Sequence, residues 1–392
     1  MIAVKICQLS FSPIPDDARV RRHGDALAAA GHEVVAIGLP GGRARSPGWE
    51  VRDIALPAAE RFRQLHRLLR VGRMAACRIV PSLAEGGYWA QALHRTMTEA
   101  AGDIDADVYV ANDWLTLPIA ARLAAGRGVP YLYDSHEYAV EEGADRPWWL
   151  LLISPYVRAI EAGHIHGAAA VMTVGDGIAG LMQRDHGLAA RPLVIRNTVP
   201  SNLQPFRPCG EVIEVLYQGL LRADRGLENL IRSVTSWRPE FRLVIRGPGE
   251  AAVVGRLKAL AAGNERIRFD PPVDPLAMVA AANGSDIGIH PIPTTSSQTR
   301  LCLPNKFFEY AMAGVALCVS GSEEMSALLR RHDLGRIIAA DTPEAIADAV
   351  NGFDRAAIDA AKRNALAAAG ELCWERESRK LLAVFERLGR EG

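Results

Sequence analysis

Short apolar runs alternate with longer, alanine-rich amphipathic stretches along most of the chain. The stretches Asp17–Ala30 and Leu115–Arg127 are typical of helices in the first half, and the apolar runs between such stretches predict strands. Regular alternation of strands and helices is typical of a parallel α/β sheet. The strands predicted in the first half are Val4–Leu9, Glu33–Gly38, Val108–Ala111, Tyr131–Asp134, Ala170–Val174 and Leu193–Arg196.

The second half repeats this alternation after a short proline-rich segment. Pro200, Pro205 and Pro208 lie close together before Gly210, which is typical of a connector. The strands predicted after it are Val212–Gln218, Arg242–Arg246, Ile267–Phe269, Asp286–His290 and Val315–Ser320. We therefore predict two Rossmann-like α/β domains, at residues 1–200 and 201–372, followed by a C-terminal helix within residues 373–392.

Composition and charge argue against several classes of protein. The 392 residues include 45 Lys and Arg and 45 Asp and Glu, so the formal net charge is zero, which argues against a nucleic-acid partner. No apolar run is long enough to predict a transmembrane helix, and the N-terminal residues have the pattern of a strand, not of a signal peptide. The six cysteines are far apart and predict reduced, structural thiols. We expect a cytoplasmic protein.

The residues after the first predicted strand exclude two common nucleotide sites. The segment Ser10–Asp17 contains no glycine, whereas a dinucleotide-binding Rossmann domain needs glycines there so that the pyrophosphate can approach the backbone. No Gly-Lys-Ser/Thr sequence is present, so a Walker A phosphate loop is excluded. Gly247-Pro248-Gly249 follows a predicted strand, but a single Gly-x-Gly is a weak signal for a phosphate site.

One predicted helix of the second half contains the strongest candidate for an anion site. Pro304 predicts its start and Gly314 its end, so Asn305 and Lys306 occupy its first turn. The unpaired N–H groups of a helix N-terminus attract anions, and a lysine in that turn is explained if a phosphate binds there. Glu309 lies one turn further on the same face. The alternative, a solvated Lys–Glu pair on a surface helix, stays open.

A second candidate for anion binding follows the first strand of the second half. Gly219 ends that strand and lets a ligand approach the backbone. Arg222 and Arg225 come next and can offer forked donors to a diphosphate. Ligands of parallel sheets gather at the carboxyl ends of the strands, so both candidate segments are expected at one crevice. Two cationic helix starts at one crevice predict a site for a nucleoside diphosphate.

The order and spacing of these motifs resemble the retaining glycosyltransferases of family 4, also called glycosyl transferases group 1. Their GT-B fold has two facing Rossmann-like domains with an interdomain cleft. The resemblance covers nearly the whole chain. Its motifs are Asp17-Ala18-Arg19-Val20, Ala29-Ala30-Gly31-His32-Glu33-Val34, Val171-Met172-Thr173-Val174, Val194-Ile195-Arg196-Asn197-Thr198, Tyr217-Gln218-Gly219, Arg225-Gly226-Leu227, Asp286-Ile287-Gly288-Ile289, Pro304-Asn305-Lys306-Phe307-Phe308-Glu309-Tyr310 and Ala313-Gly314.

The resemblance implies a retaining transfer of a sugar from a nucleoside-diphosphate sugar to a hydroxyl acceptor, as in bacterial surface polysaccharide or glycoconjugate biosynthesis. Arg225 resembles the family's cation that neutralises the leaving diphosphate, with Lys306 as a second phosphate contact, and Glu309 resembles the carboxylate that binds the donor's ribose. The leaving phosphate takes the acceptor proton, so no protein base is required. Fixed cations meet the phosphate charge, and we expect no metal ion or cofactor. The other residues expected at the donor site are Gly219, Arg222, Gly247 and Asn305.

The first domain is expected to supply the acceptor side. His136 resembles the family's histidine that meets the donor sugar, and we expect it to orient that sugar. Arg19, Asp113 and Glu137 are the other residues predicted for this side, although Asp113 can instead cap the helix that follows it. The C-terminal helix resembles the one that packs back on the first domain in this family.

The sequence departs from the family pattern at three places. Leu301 stands where many members have a second carboxylate, eight residues before the one that Glu309 resembles. Leu220 replaces an arginine after the strand-end glycine, and Ser12-Pro13-Ile14-Pro15 replaces a glycine pair in the first loop. We expect the missing sugar contact to come from the loop Thr294–Arg300 or from backbone N–H groups.

Residues 61–80 contain six arginines and no acidic residue, with apolar side chains at helical spacing. This pattern favours one of two structures. One is a helix on the inner membrane surface, which would fit a lipid-linked acceptor, and the other is a buried helix with a solvated arginine face.

Two other functions stay open at this stage. A sugar-nucleotide epimerase with the GT-B fold would share the architecture, but it usually needs acidic catalytic residues that the sequence does not place in the crevice. A nucleotide-sugar-binding protein without catalysis would fit the missing carboxylate at Leu301.

Overall fold

The structure of the protein is a computed structural model that describes residues 3–42, 44–56, 72, 74, 76–144 and 146–391. The chain divides into two compact units. Unit 1 consists of Met1–Arg196 and Ser378–Gly392, and unit 2 consists of Asn197–Glu377. Unit 1 is therefore built from two separate pieces of the chain.

A parallel sheet forms the centre of unit 1. Its strands within the described residues are β1 Lys5–Leu9, β2 Glu33–Gly38, β3 Glu50–Asp53, β4 Val108–Asn112, β5 Tyr131–Ser135, β6 Ala170–Thr173 and β7 Leu193–Val194. They pair in the order β3-β2-β1-β4-β5-β6-β7. Every residue of β4 and β5 is buried, as expected for central strands of a parallel sheet that is covered on both faces.

Helices connect these strands and cover the sheet. Asp17 begins the first helix, because its carboxylate accepts hydrogen bonds from the N–H groups of Arg19 and Val20. Gly128 and Gly187 end the fourth and sixth helices in the left-handed conformation. The helices described in this part of the chain are α1 Ala18–Ala29, α2 Leu83–Trp89, α3 Ala92–Gly102, α4 Leu117–Arg127, α5 Ser154–His164 and α6 Asp176–His186, with a π-helical turn at Trp149–Ile153.

Unit 2 has a second parallel sheet and two clusters of buried apolar residues. One cluster includes Tyr217 and Ile245, and the other includes Leu216 and Phe308. Its strands are β8 Ile213–Gln218, β9 Phe241–Arg246, β10 Ile267–Asp270, β11 Ile287–His290, β12 Ala316–Ser320 and β13 Gly335–Ile338. They pair in the order β10-β9-β8-β11-β12-β13. Its helices are α7 Leu227–Ser233, α8 Ala251–Ala261, α9 Met278–Ala282, α10 Ser297–Arg300, α11 Asn305–Ala313, α12 Glu323–His332, α13 Pro343–Asn351 and α14 Arg355–Ala369.

The last helix, α15, spans Trp374–Glu391 and ends in unit 1. Its residues from Ser378 onward pack on that unit. The Lys380 ammonium group donates a hydrogen bond to the carbonyl of Val194 at 3.2 Å, and the ring centroids of Phe385 and His32 are 6.0 Å apart. The C-terminal piece of the chain thus supplies part of the apolar interior of unit 1.

The prediction of two Rossmann-like α/β domains is confirmed. Each of the eleven predicted strands is present, and their ends move by at most two residues. The sequence analysis missed β3 and β13. Three of the four residues of β3 are charged, and β13 is a short strand that begins with glycine.

The predicted arginine-rich helix at residues 61–80 can be compared only in part, because residues 61–71, 73 and 75 lie outside the described residues. Arg78 and Ile79 are described, and both are exposed. Within the described ranges of the chain, no helix is both long and apolar enough to cross a membrane.

Candidate active site

The strand order of unit 2 changes direction between β8 and β11. β9 and β10 continue the sheet on the β8 side, whereas β12 and β13 continue it on the β11 side. In open α/β sheets, ligands bind outside the carboxyl ends of the strands at such a switch point. β8 ends at Gln218, directly before Gly219, and β11 ends at His290. Of the donor-site residues predicted from the sequence, Gly219 directly follows β8, and the side chain of Lys306 lies beside Gly219.

Helix α11 presents an uncapped N-terminus in this unit. Pro304 precedes the helix, and its side chain accepts no hydrogen bond from the first turn. Gly314 ends the helix with a φ of 67°, so both predicted ends of this helix are confirmed. The positive end of the helix dipole and its free N–H groups therefore lie beside Asn305 and Lys306.

Lys306 extends from α11 to the end of β8. Its Nζ lies 4.1 Å from the ring centroid of Tyr217, and a Cβ atom built on Gly219 would lie 3.1 Å from that Nζ. The side chain is half-buried, and within the described residues it has no hydrogen-bond or ion-pair partner. Burial and the charge of Arg225 lower the pKa of Lys306 to about 7, and Glu309 opposes this shift. Lys306 is thus an amine whose charged form is disfavoured in the free protein and would be favoured by a bound anion.

Arg225 is held near Lys306 by a tight turn. The 3-10 turn Ala223–Arg225 ends at Gly226, which has a φ of 68°. A Cβ atom on Gly226 would lie 1.9 Å from the carbonyl oxygen of Pro291, so the turn packs directly against the segment after β11. Only glycine fits both this φ and this contact.

The other predicted residues of the loop differ in their surroundings. Arg222 is 55% exposed and forms an ion pair of 3.1 Å with Asp224, and its charge is not one that shifts the pKa of Lys306. Gly247 packs on Gly219, because a Cβ atom there would lie 1.8 Å from the carbonyl oxygen of Gly219. The structure therefore brings Gly219, Arg225 and Lys306 together, while Arg222 lies on the surface and Gly247 supports Gly219.

His290 is a residue of this region that the sequence analysis missed. Its side chain is 1% exposed, and neither ring nitrogen has a hydrogen-bond partner among the residues that the structure describes. Burial, together with the charges of Lys306 and Arg225, holds its pKa well below the usual range, so the imidazole is neutral. The only hint in the sequence is its position, because His290 is a polar residue at the end of a predicted apolar strand.

In unit 1 the strand order changes direction between β1 and β4, and Asp113 follows β4. Asp113 has a φ of 65°, which is uncommon for a residue other than glycine. One oxygen of its carboxylate accepts a hydrogen bond of 2.9 Å from the backbone N–H of His136. The residue that precedes α4 is Thr116, so the alternative role of Asp113 as the cap of that helix is not observed.

His136 lies between two carboxylates. Its Nδ1 is 3.2 Å from Asp113 Oδ2, and its Nε2 is 3.5 Å from Asp134 Oδ2. Burial lowers the pKa of His136, but the two carboxylates outweigh burial and raise it to about 9. Burial also raises the pKa of Asp113, whose side chain is 42% exposed. An imidazolium therefore holds a carboxylate that a ligand can reach.

Asp134 connects this pair to Arg19. Arg19 Nε and Nη2 donate to the two oxygens of Asp134 at 2.8 and 2.6 Å, and Nη1 donates to the carbonyl of Ile195 at 2.8 Å. Although burial alone would raise it, Arg19 and neighbouring histidines hold the pKa of Asp134 well below its usual range. The predicted acceptor contact of Arg19 does not fit this position, because its guanidinium lies inside unit 1 and acts on the site only through Asp134. Glu137, also predicted, is exposed.

Two family models match the chain. Residues 17–198 match the glycosyl transferase 4-like domain, and residues 222–380 match a glycosyl transferase-like family. Together these matches cover most of the chain and include every predicted site residue except Gly219. No curated protein matches the sequence.

Solved structures with the same fold cover nearly the whole chain. Sucrose-phosphate synthase from Thermosynechococcus elongatus has a TM-score of 0.73 and 16% identity, over 99% of this chain and 100% of that one. HepE from Anabaena, solved with UDP-glucose, has a TM-score of 0.70 and 13% identity, over 98% and 100%. WaaG, a glycosyltransferase involved in lipopolysaccharide biosynthesis, has a TM-score of 0.65 and 14% identity, over 97% and 99%.

These likenesses agree with the two parallel sheets and with the order of motifs along the chain. The fold is the GT-B fold of two Rossmann-like domains. The chain belongs to the family 4 glycosyltransferases, glycosyl transferases group 1, and it is a glycosyltransferase.

Proposed function

We propose that this enzyme transfers a sugar from a nucleoside-diphosphate sugar to a hydroxyl acceptor, with retention of configuration. The observation that carries the proposal is the half-buried amino group of Lys306, which has no ion-pair partner among the described residues. A cation in such a position costs free energy unless an anion binds beside it. The uncapped start of α11 and the side chain of Arg225 add positive charge at the same place.

The donor class is supported by a structural neighbour. HepE was solved in complex with UDP-glucose, and its fold covers nearly all of this chain. A diphosphate has the charge and the oxygen acceptors that Arg225, Lys306 and a helix N-terminus favour. The sugar nucleotide is therefore the ligand that fits unit 2 best.

Catalysis would come mainly from charge stabilisation of the leaving group. The bond between the anomeric carbon and the phosphate oxygen breaks, and a bond to the acceptor oxygen forms on the same face of the sugar. The acceptor's proton passes to the leaving phosphate, so the phosphate acts as the base. Arg225, Lys306 and the start of α11 stabilise the negative charge on that phosphate, and one such donor is typically worth about 10²–10³ in rate.

Unit 1 would orient the sugar and the acceptor. Asp113 is the reachable carboxylate of this unit and can accept a hydrogen bond from a hydroxyl group. The His136 imidazolium holds Asp113 in position, and Arg19 holds Asp134 behind it. In this arrangement Arg19 and Asp134 are positioning residues, and Glu137 is an exposed neighbour that can contact the acceptor.

Protein cations would replace a divalent metal ion at the diphosphate. Within the described ranges, no three His, Cys, Asp or Glu side chains form a group suited to a metal ion. Because Arg225 and Lys306 already meet the diphosphate charge, we expect transfer to continue in the presence of EDTA.

The acceptor is proposed to be a glycan of a bacterial surface polysaccharide or glycoconjugate. WaaG, which shares the fold, is involved in lipopolysaccharide biosynthesis. Unit 1 exposes Trp148, Leu150 and Leu151, each about half exposed, which fits an acceptor that is linked to a lipid.

The test is a transfer assay with a panel of UDP-, GDP-, ADP- and dTDP-sugars and glycan acceptors, in the presence of EDTA. The anomeric configuration of the product is read from its proton coupling by NMR. We expect one donor to be used and the product to keep the donor's configuration. An inverted product would refute retention, and an enzyme that releases an epimerised donor without transfer would refute the reaction.

A further inference from the structure

We propose that His290 binds the donor sugar and replaces the family carboxylate that is missing at Leu301. This inference rests on the proposed function, because it assigns the sugar contact of the same site. It identifies a residue that determines which sugar nucleotide is accepted.

The surroundings of His290 leave its hydrogen-bonding capacity unused. The side chain is 1% exposed, and neither Nδ1 nor Nε2 has a partner. Buried polar groups in folded proteins are almost always paired, so an unpaired one indicates a ligand or a functional role. His290 also ends β11 at the switch point of the sheet, where ligands of this fold bind.

His290 and Leu301 lie at the same corner of unit 2. The end of β12 and the turn after it contact both segments, since Ser320 Oγ donates to the carbonyl of His290 at 3.3 Å and Ser322 Oγ donates to the carbonyl of Cys302 at 2.7 Å. Leu301 itself is buried and apolar, so it cannot bind a hydroxyl group. His290, by contrast, has two ring nitrogens that can form hydrogen bonds with a hydroxyl group.

The chemistry of a neutral imidazole selects a sugar over a phosphate. Burial and the neighbouring charges of Lys306 and Arg225 disfavour a second proton on the ring, so His290 has one N–H donor and one nitrogen that accepts. A diphosphate at neutral pH offers mainly acceptors and can satisfy only the N–H group. A sugar hydroxyl can both donate and accept, so it can satisfy the other nitrogen.

A second buried acceptor lies in the loop that the sequence analysis expected to supply the sugar contact. The side-chain oxygen of Gln298 is buried and has no hydrogen-bond partner within the described part of the chain. Like the free nitrogen of His290, it can be satisfied by a hydroxyl and not by a phosphate oxygen. Two unused acceptors in unit 2, of which His290 lies beside the cations of the predicted diphosphate site, point to a polyhydroxylated group on the donor.

The test compares binding of a free nucleoside diphosphate with binding of its sugar esters. Isothermal titration first identifies which of UDP, GDP, ADP and dTDP binds the wild-type protein, and then which of its glucose, galactose, mannose and N-acetylglucosamine esters binds tightest. His290→Phe should weaken that ester at least tenfold and the free diphosphate less than threefold. His290→Asn, which keeps a donor and an acceptor, should recover part of the loss. His166→Phe changes an exposed histidine and should affect neither ligand.

Equal weakening of both ligands, or no weakening of the sugar ester, would overturn the role of His290. NMR of histidine ring nitrogens keeps the test independent of variant folding: in the wild-type protein, the His290 signals should move on addition of the ester and stay nearly unchanged with the free diphosphate. A wild-type protein that binds none of the diphosphates overturns the proposed function itself, whereas diphosphate binding with unchanged His290 signals overturns only this inference.

Discussion

At the scale of single residues, the surroundings of Lys306 set its chemistry. A lysine in water keeps its proton up to a pH of about 10.4, but burial and Arg225 lower the pKa of Lys306 to about 7. An anion beside the ammonium group favours its charged form and raises this pKa again. Binding of a diphosphate and uptake of a proton by Lys306 are therefore coupled.

The first prediction concerns this coupling. Above pH 7 the free enzyme holds Lys306 mostly neutral, so the Kd of a nucleoside diphosphate should rise between pH 7 and 9, approaching tenfold per pH unit. Lys306→Arg keeps its charge over this range and should show a nearly constant Kd. Titration calorimetry at pH 8 in buffers with different ionisation enthalpies measures the proton uptake directly. A wild-type Kd that stays constant from pH 7 to 9 would contradict the coupling.

The second prediction concerns the buried pair of Arg19 and Asp134. Arg19→Met leaves the Asp134 carboxylate buried without its main partner, which should lower the free energy of unfolding by about 3–5 kcal/mol. Arg191→Met removes a half-exposed ion pair with Asp176 and should cost less than about 1 kcal/mol. Urea unfolding of both variants measures the difference. Similar, small losses in the two variants would argue against a structural role for the Arg19–Asp134 pair.

Residue-level predictions from the sequence succeed where the signal is local. Pro304 and Gly314 bound α11 within a few residues, so the position of Lys306 could be predicted. The role of Asp134 could not, because its partner Arg19 is 115 residues away. His290 was missed for a related reason: its unpaired nitrogens become visible only when the neighbouring strands and loops are in place.

At the scale of elements, the ends of β8 and β9 are joined by close backbone contacts. The N–H of Gly219 donates to the carbonyl of Arg246 at 2.9 Å, and the N–H of Leu221 donates to the carbonyl of Pro248 at 2.8 Å. Gly247 lies between these bonds with its Cα against Gly219. This contact fixes the backbone beneath Lys306.

The third prediction tests that contact. Gly247 has a φ of 152°, and an added Cβ would lie 1.8 Å from the carbonyl oxygen of Gly219. Gly247→Ala should therefore lower the free energy of unfolding by about 2–4 kcal/mol and weaken diphosphate binding. Gly255→Ala lies in α8, where a Cβ has no atom within 4 Å, and should be neutral or stabilising by up to about 1 kcal/mol. If thermal unfolding shows that the Gly247→Ala and Gly255→Ala proteins are equally stable, the contact between Gly247 and Gly219 would be refuted.

The strands that could be predicted and those that could not differ in their apolar content. β4 and β5 are fully buried, so their apolar runs stand out in the sequence. β3 lies at the edge of its sheet with the sequence Glu-Val-Arg-Asp, which has neither an apolar run nor an alternating pattern. β13 also lies at an edge, where burial on both faces is not required.

At the scale of the whole molecule, the C-terminal part of α15 completes the interior of unit 1. Leu381, Val384 and Phe385 are all buried, although they are about 190 residues distant in sequence from β7. The spacing of apolar residues predicts an amphipathic helix here but not the unit on which it packs. The contact of Phe385 with His32 shows that this unit is unit 1.

The fourth prediction tests this packing. Phe385→Ala removes a ring that is 2% exposed and should lower the free energy of unfolding of unit 1 by about 3–5 kcal/mol. Glu386→Ala, the exposed neighbour, should change it by less than about 0.5 kcal/mol. Hydrogen exchange of β1 and β2 amides, which belong to unit 1, locates the effect. Unchanged exchange of these amides in Phe385→Ala would contradict the proposed packing of α15.

The central claim is that Lys306 and its neighbours in unit 2 bind a nucleoside diphosphate. The most direct measurement is isothermal titration of UDP, GDP, ADP and dTDP into the wild-type protein in EDTA at pH 7. One of them should bind at a single site, Lys306→Ala should weaken it at least tenfold, equivalent to about 1.4 kcal/mol, and the exposed control Lys258→Ala should leave it unchanged. Binding of none of the four, or equal binding by the Lys306→Ala and wild-type proteins, would contradict the claim.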